Sequence, residues 1–515
     1  MKQGSSRLFP FLLSAGLYLL LVGVLALKIS ALTHGAQWYL LDDPYIHLAI
    51  AKNLLLHGVY GISQWEPSLA SSSIAWPFLL AGWGKLGLLS ASLPLWLNIA
   101  FSLLLLWSSD LLLRHNGLAA RWRAVVLCLV VLGFPLPAAT FMGLEHIGFA
   151  WLVITFLLRL QQVLEDATLE DRGWLLAIGA LLTCFRFEGG FLIAAAACVL
   201  LWQRQIALAI LLGIAGLLPI VCFAHFSQHL GGMAVPNSLI MKTHIAGNPL
   251  LAHFAFLTVH KFFFFRGGLA GLLFVLLLWS FAETQYGRAL RLTVAAFLIA
   301  ALIHLLMASV ATARYDSYMI AAALLLGAVL YQKQRPMPVA VALVVLVLLP
   351  VVLYRGIWLL RTVPVAAVSI YQQQYEAGRF FARYYDGSGV FANDIGVLAY
   401  LADVHCLDIA GLGTNEVARA IREDRFNQQV FEHLARERGI VVGFAYEDQA
   451  LPTLLPANWQ KVASWTEPHP TGAGAAEATI AFYATSPEQA AVLEQHLKEF
   501  APELPQAVTV QYVAP

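Results

Sequence analysis

Residues 38–61 read "WYLLDDPYIHLAIAKNLLLHGVYG", in which two adjacent acids, Asp42 and Asp43, separate a long apolar segment from a short helical pattern. Pro44 suits the first turn of a helix and Gly58 suits its end. An N-cap role explains one aspartate. It leaves the other unexplained, because adjacent carboxylates repel each other unless a cation or a proton separates them. The pair is therefore a candidate for chemistry, in which one carboxylate takes a proton from a hydroxyl and its neighbour holds a metal ion.

The composition around this pair is that of a membrane protein. The chain has 515 residues, of which 60% are hydrophobic and 12% charged, and its mean hydropathy is +0.72. Apolar runs of about 17–25 residues recur along it, as membrane-spanning helices require. The net charge of +1 comes without a basic tract, so we expect no nucleic-acid partner. The five cysteines show neither a disulfide framework nor metal-ligand spacing.

About eleven spans are predicted, with ends uncertain by several residues. The first is read as a transmembrane helix rather than a cleaved leader, and the stretch 73–89, interrupted by Pro77 and glycines, as a helix on the membrane surface. The spans lie near 8–28, 93–113, 123–140, 144–160, 173–185, 188–202, 206–225, 267–282, 291–310, 315–331 and 337–356.

Loop charge then sets the orientation. With 73–89 outside the membrane, every predicted cytoplasmic loop carries arginine or lysine, as the positive-inside rule demands. The same arrangement places the first loop, 29–92, the second large loop, 226–266, and the tail after residue 357 on the outer face. We therefore expect a multi-pass protein of the bacterial cytoplasmic membrane, with both the acidic pair and the tail on the periplasmic side.

Two arginines occupy tight outer turns between apolar helices. Arg186 lies in "CFRFEGG" and Arg314 in "ATARYDSY". An ionisable group at such a place is costly unless it has a partner, and it is a functional candidate by default. The alternative is a structural ion pair, of Arg186 with Glu188 or of Arg314 with Asp316.

Outer-face acids beside outer-face cations suggest a lipid-anchored anionic substrate. The cations would hold a phosphate leaving group while a carboxylate activates the acceptor, which amounts to glycosyl transfer from a lipid phosphate. A lipid or sugar transporter is the alternative function. It would want ionisable groups near the middle of the membrane and repeated halves, whereas the charged residues here collect on one face.

A series of short motifs resembles a known superfamily in the same order. These are "LDDPYIHLAIAKNLLLHGVYG", "EPSLASSSIAWPFLLA", "FMGLEHIGFA", "CFRFEGGFLIAAA", "VPNSLIMKT", "ARYDSYMIAAALLL" and "VFANDIGVLAYLADVHCLDIAGL". Together they resemble the GT-C superfamily of polytopic glycosyltransferases, in particular the bacterial terminal β-arabinofuranosyltransferase-like group and, more distantly, the protein mannosyltransferases. In the second motif the proline is displaced to Pro77, which leaves the acceptor open.

The resemblance implies an α-helical GT-C membrane domain over residues 1–360, with juxtamembrane helices on the outer face. It also implies a polyprenyl-phosphate-linked sugar as the donor and a glycan, protein or lipid hydroxyl as the acceptor. Asp42 would be the general base and Asp43 its support, as helix cap or metal ligand; the metal itself stays unassigned and no other cofactor is expected. The remaining site residues are Arg186, Lys242 and Arg314 for the donor phosphate, and His47, Glu145, Glu188, Asn237 and Tyr315 to shape the site.

Residues 361–515 are predicted to form a small extracytoplasmic α/β domain. Short apolar strands are expected at "GVFAND", "GIVVGFAY", "ATIAFYAT" and "TVQYV", and an amphipathic helix is expected after Ser486-Pro487. Binding of acceptor or glycan and capping of the active site are both open roles for this domain.

Overall fold

The computed structural model describes residues 2–166, 168–244, 273, 287–307, 313–333, 339–447, 451–468 and 474–513. The predicted span near 267–282 lies outside the described residues except for Leu273, and so does the part of the second outer loop after residue 244.

Helices make up the described part of the chain up to residue 370. In chain order they are α1 Lys2–Thr33, α2 Asp43–Leu56, α3 Ala75–Gly84, α4 Leu93–His115, α5 Ala120–Gly133, α6 Leu136–Thr140, α7 His146–Asp166, α8 Leu169–Phe185, α9 Gly189–Trp202, α10 Ile206–His229, α11 Asn237–His244, α12 Arg288–Met307, α13 Ala313–Lys333 and α14 Val339–Ile370.

Six helical segments in the described ranges are long and apolar enough to cross a membrane. They are Leu8–Thr33, Leu93–His115, His146–Asp166, Ile206–His229, Arg288–Leu306 and Leu348–Tyr384. The helical, multi-pass character of the chain is thereby confirmed, while the number of eleven spans stays a prediction. The surface stretch 73–89 contains only the ten-residue α3, which at about 1.5 Å per residue is too short to cross the bilayer core.

Helix boundaries depart from the expected ones at two places. The predicted span 123–140 is broken between α5 and α6, where Pro135 and Pro137 cannot donate backbone hydrogen bonds. The predicted domain boundary at residue 360 falls inside a continuous helix, because α14 runs through a π-helical turn, Tyr371–Tyr375, into α15, Glu376–Tyr384. The composition changes there, but the helical backbone does not end.

A six-stranded mixed sheet follows this long helix. The bounds of its elements are β1 Gly389–Ala392, α16 Gly396–Leu401, β2 His405–Asp408, α17 Asn415–Arg422, α18 Gln428–Glu437, β3 Ile440–Tyr446, α19 Leu451–Leu454, β4 Gln460–Thr466, β5 Thr479–Ala484, α20 Pro487–Phe500 and β6 Thr509–Tyr512. The strand order is β2-β1-β3-β5-β4-β6, with β1 parallel to β2 and β3 and with the other pairs antiparallel. The four expected strands, β1, β3, β5 and β6, and the helix after Ser486 are confirmed, whereas β2 and β4 were not expected from the sequence.

The α/β domain is docked on the first outer loop. One apolar core joins α2 residues such as Ile46 and Ile50 to domain residues such as Phe381 and Leu398. At its edge the Lys52 ammonium donates to the carbonyl oxygens of Ala399 and Tyr400, at 3.1 and 3.0 Å. Farther out, the Arg438 guanidinium pairs with Glu66 at 2.8 Å. These contacts hold α2, which begins at the acidic pair, and the α/β domain as one packed unit.

Candidate active site

A cavity of about 290 Å³ lies where the membrane helices meet the α/β domain. The first outer loop, α11 and α13 form its membrane-side walls, and the loop after β2 closes the opposite side. The lining residues are Asp43, Ile46, His47, Ala70, Ser72, Ser238, Met241, Arg314, Ala410 and Leu412. Polar groups from distant parts of the chain thus converge on one half-open cavity.

Asp43 and Arg314 form an ion pair in the cavity wall. The Arg314 Nη1 donates to Asp43 Oδ2 at 2.6 Å, and the two side chains are 14% and 38% exposed. Arg314 therefore pairs with the first outer loop rather than in the alternative structural bridge with its near neighbour Asp316. The pair brings a carboxylate and a guanidinium to the same accessible surface.

Tyr315 lies between two guanidinium groups. The Arg314 guanidinium carbon is 5.1 Å from the centre of the Tyr315 ring and that of Arg186 is 5.0 Å from it. The His146 ring meets the same ring edge-on at 5.4 Å. A cation close to an aromatic face is attracted by the ring's quadrupole, so Tyr315 connects the Arg314 pair with a second charged group behind it.

That second group is centred on Arg186, which is 5% exposed. Its guanidinium donates to Glu145 and to Glu188, both at 2.6 Å, and its Nη1 lies 3.0 Å from His146 Nε2. Arg186 is thus balanced by two carboxylates. One of them, Glu188, is the partner that a purely structural ion pair would use.

Asp42 points away from the cavity and caps a helix of the α/β domain. Its carboxylate accepts the backbone N–H groups of Gly396 and Val397, at 2.5 and 2.8 Å. A Cβ atom at Gly396 would lie 2.2 Å from the Asp42 carbonyl oxygen, so glycine is required there. Burial, followed by repulsion from Asp394, raises the pKa of Asp42 to about 8.

Serine hydroxyls link His47 to Glu145. The Ser71 Oγ lies 3.1 Å from His47 Nδ1, and the Ser72 hydroxyl donates to Glu145 Oε1 at 3.1 Å. The other ring nitrogen of His47 is 4.0 Å from Glu145 Oε2. The Ser-rich segment, in which the proline was displaced, therefore lies directly in the site.

The α/β domain supplies the outer wall through the loop that follows Asp408. The Asp408 carboxylate accepts the backbone N–H groups of Ala410 and Gly413 at 2.8 and 2.6 Å, and burial raises its pKa to about 7. From the membrane side, the Asn237 amide donates to the Leu412 carbonyl at 3.1 Å and to Asn415 at 2.8 Å. This loop is held from both sides, which keeps Ala410 and Leu412 against the cavity.

The structure brings most of the predicted residues into one connected site. Asp43, His47 and Arg314 line the cavity; Tyr315, Arg186, Glu145 and Glu188 stand behind it; Asn237 holds its rim. Asp42 lies beside the site but faces the α/β domain. Lys242 lies on α11 next to Met241, and its side chain is outside the described residues.

Sequence reasoning missed several contributors to the cavity. Ser238, Met241, Ala410 and Leu412 carry no chemical signature, and only the folded chain shows that they line it. His146 did have a signal, since it stands inside the "FMGLEHIGFA" motif next to Glu145. Within the described ranges, no three His, Cys, Asp or Glu side chains come together as a metal site. The metal at Asp43 stays a prediction.

Comparisons with known proteins concern the fold. ArnT from Cupriavidus metallidurans bound to undecaprenyl phosphate superposes with a TM-score of 0.52 at 15% identity, over 92% of this chain and 99% of that chain. Its apo form gives the same TM-score and identity, over 92% and 98%. An apo oligosaccharyltransferase from Archaeoglobus fulgidus gives a TM-score of 0.44 at 13% identity, over 91% and 74%.

A family model described as a domain of unknown function, DUF8728, matches residues 366–483. No curated protein matches the sequence. The chain therefore shares the fold of the GT-C glycosyltransferase ArnT over most of its length, as the sequence resemblance predicted. Its chemistry has to be argued from the site.

Proposed function

We propose that this protein transfers a sugar from a polyprenyl-phosphate-linked donor to a hydroxyl acceptor on the outer face of the bacterial cytoplasmic membrane. The observation that carries the proposal is the pair of Asp43 and Arg314, 2.6 Å apart in the wall of a half-open cavity between the apolar helices and the α/β domain. The carboxylate suits an acceptor hydroxyl and the guanidinium suits a phosphate.

Arg314 is the proposed contact for the donor phosphate. It is the cavity-lining arginine among the described residues, and a guanidinium matches two phosphate oxygens with its planar fork. The shared fold supports this choice, because the ArnT structure holds undecaprenyl phosphate, an anionic polyprenyl lipid. Lys242, on the α11 wall, remains a second candidate for the phosphate.

Arg186 is better suited to positioning than to phosphate binding. Glu145 and Glu188 already occupy its guanidinium, and the carboxylates outnumber it two to one. A phosphate would have to displace one of them from a buried pair, which is expensive. We therefore assign Arg186 the task of holding Tyr315, and through it Arg314, in place.

Asp43 rather than Asp42 is the proposed general base. Asp42 is 9% exposed and both of its oxygens accept backbone hydrogen bonds from the α/β domain, while Asp43 faces the cavity. In the structure the Arg314 pair occupies the Asp43 carboxylate. A donor phosphate that takes over Arg314 would weaken that ion pair and place a like charge beside the carboxylate, and both changes raise its affinity for a proton.

In the proposed reaction, the sugar passes from the donor phosphate to the acceptor oxygen. The acceptor oxygen forms a bond to the anomeric carbon as its proton passes to an Asp43 oxygen, and the bond between that carbon and the phosphate oxygen breaks. The polyprenyl phosphate leaves with the electron pair and is stabilised by Arg314. The acceptor would enter beneath the loop that carries Ala410 and Leu412, near the hydroxyls of Ser72 and Ser238.

Mass spectrometry of the envelope of a deletion strain tests the proposal. We expect surface glycans, proteins or lipids to lose a mass increment of one sugar, wild-type protein to restore it, and Asp43→Asn to fail although it reaches the membrane. Purified protein should also transfer the sugar in detergent solution, where no compartment exists for a transporter to fill. An envelope that is chemically unchanged by the deletion would refute the proposal.

A further inference from the structure

A second concave surface lies toward the end of α9, the helix that follows the turn of Arg186. It is a groove of about 480 Å³ between α9 and α12. Phe191, near the start of α9, contacts His304, near the end of α12, so the two helices are antiparallel. The fourteen residues of α9 span about 20 Å at 1.5 Å per residue. The end of the groove at Trp202 and Arg288 therefore lies at the opposite end of α9 from the turn that carries Arg186.

The wall of this groove is apolar and open to the side of the protein. Val199, Leu292, Ala295 and Ile299 line it, and Ile299 is 44% exposed. The described residues leave this surface facing outward from the helix bundle, where a membrane protein meets acyl chains. A soluble ligand would have little polar surface to bind along the wall.

Two arginines stand at one end of the groove. Arg288 is exposed and Arg291 is half-buried, and neither guanidinium forms an ion pair or hydrogen bond with the described residues. The Nε of Arg291 is buried and has no hydrogen-bond partner. Trp202, which is 77% exposed, lies in the same lining and suits the level of lipid headgroups. The groove thus combines an apolar wall with two available cations at its end.

We propose that this groove binds an anionic glycerophospholipid from the leaflet opposite the candidate active site. The lipid phosphate lies between Arg288 and Arg291, and one acyl chain follows Val199, Leu292, Ala295 and Ile299. Basic pockets between transmembrane helices select anionic headgroups because each nearby cation contributes attraction in a poorly screened setting. The site is independent of the proposed transfer reaction.

Native mass spectrometry of the purified full chain tests the site, with phosphatidylglycerol and phosphatidylcholine of matched acyl chains as probes. We expect wild-type protein to retain phosphatidylglycerol in preference. Arg288→Gln combined with Arg291→Gln should weaken that retention roughly 30-fold, since each nearby arginine contributes about fivefold. Arg172→Gln removes an exposed arginine from the same end of the bundle but outside the groove, and it should leave retention unchanged.

Two further arms separate the lipid from other sources of phosphate. Ile299→Trp fills the apolar wall and should reduce phosphatidylglycerol retention several-fold with both arginines in place. Millimolar glycerol 3-phosphate, which offers the headgroup without the chains, should not displace the lipid. Equal retention of the two lipids by wild-type protein, or wild-type retention by the double arginine variant at an unchanged unfolding temperature, overturns the proposal.

Discussion

Asn substitutions at the two neighbouring acids should have opposite consequences. Asp43→Asn keeps the size of the side chain but cannot take a proton, so the transfer rate should fall about 10²–10⁴-fold, the usual contribution of general-base help. Its effect on the free energy of unfolding should be small. The Asp43 side chain is 38% exposed, and an ion pair that water reaches contributes about 0–1 kcal/mol.

Asp42→Asn should act on stability instead. The carboxyl group accepts two backbone N–H groups, from Gly396 and Val397. Both carboxyl oxygens can accept, whether or not the group carries a proton, whereas the amide nitrogen of Asn cannot. One buried N–H therefore loses its partner in Asp42→Asn, at a cost of about 1–3 kcal/mol. We expect looser docking of the α/β domain and a lower unfolding temperature, with a fall in transfer rate of less than about tenfold, below the range for a lost general base.

The assay follows three quantities in one strain background. Deletion cells carrying each variant are scored by mass spectrometry for the sugar-bearing product, and purified variants for unfolding temperature and for binding of undecaprenyl phosphate. Asp43→Asn should bind that lipid at least as well as wild type, because the Asp43 carboxylate no longer competes with the lipid phosphate for Arg314.

One pattern of results would refute the division of roles between the acids. If Asp42→Asn loses transfer by 10²-fold or more with its unfolding temperature intact, and Asp43→Asn transfers at nearly the wild-type rate, the base is Asp42. Equal losses in both variants without loss of stability would show that the two carboxylates act together.

Three other outcomes follow from the same geometry. Arg314→Lys should bind undecaprenyl phosphate about tenfold more weakly, measured on purified protein, because an ammonium cannot reproduce the guanidinium fork. Gly396→Ala should lower the unfolding temperature and abolish transfer, because its Cβ would lie 2.2 Å from the Asp42 carbonyl oxygen. Gly213→Ala is the matched control. Its added carbon has no atom within 4 Å, so it should change neither the unfolding temperature nor the transfer rate. The raised pKa of Asp42, about 8, means that the folded protein holds a proton which the unfolded chain releases near pH 4. The free energy of unfolding should therefore fall as the pH rises from about 4 to 8. Thermal unfolding should show a weaker pH dependence for Asp42→Asn. Part of the dependence should remain in the wild type and in the variant, because burial also raises the pKa of Asp394.

The architecture was largely within reach of the sequence. Long apolar runs with few charges define helices in a bilayer regardless of what packs against them, and the change of composition from Tyr371 onward indicated a second domain. The strands around Val390 and Phe444 and the helix after Ser486 followed from local pattern and capping. The break at Pro135 was not predicted. The continuous helix through Tyr371 was not predicted either, because a change in composition does not require a helix to end.

Candidate site residues could also be chosen from the sequence, since acids and arginines at the edge of a membrane are costly without a partner. Their partners could not be. Sequence spacing offered Asp316, two residues away, as the structural partner of Arg314, whereas the fold pairs it with Asp43, 271 residues away. The resemblance assigned the base to Asp42 and a supporting role to Asp43, but the direction in which each acid points could not be read from the sequence. Only the packing of Gly396 against Asp42 shows that Asp42 accepts backbone hydrogen bonds from the α/β domain while Asp43 lines the cavity. Side-chain direction and long-range partners depend on how distant segments meet, and no local pattern carries that information.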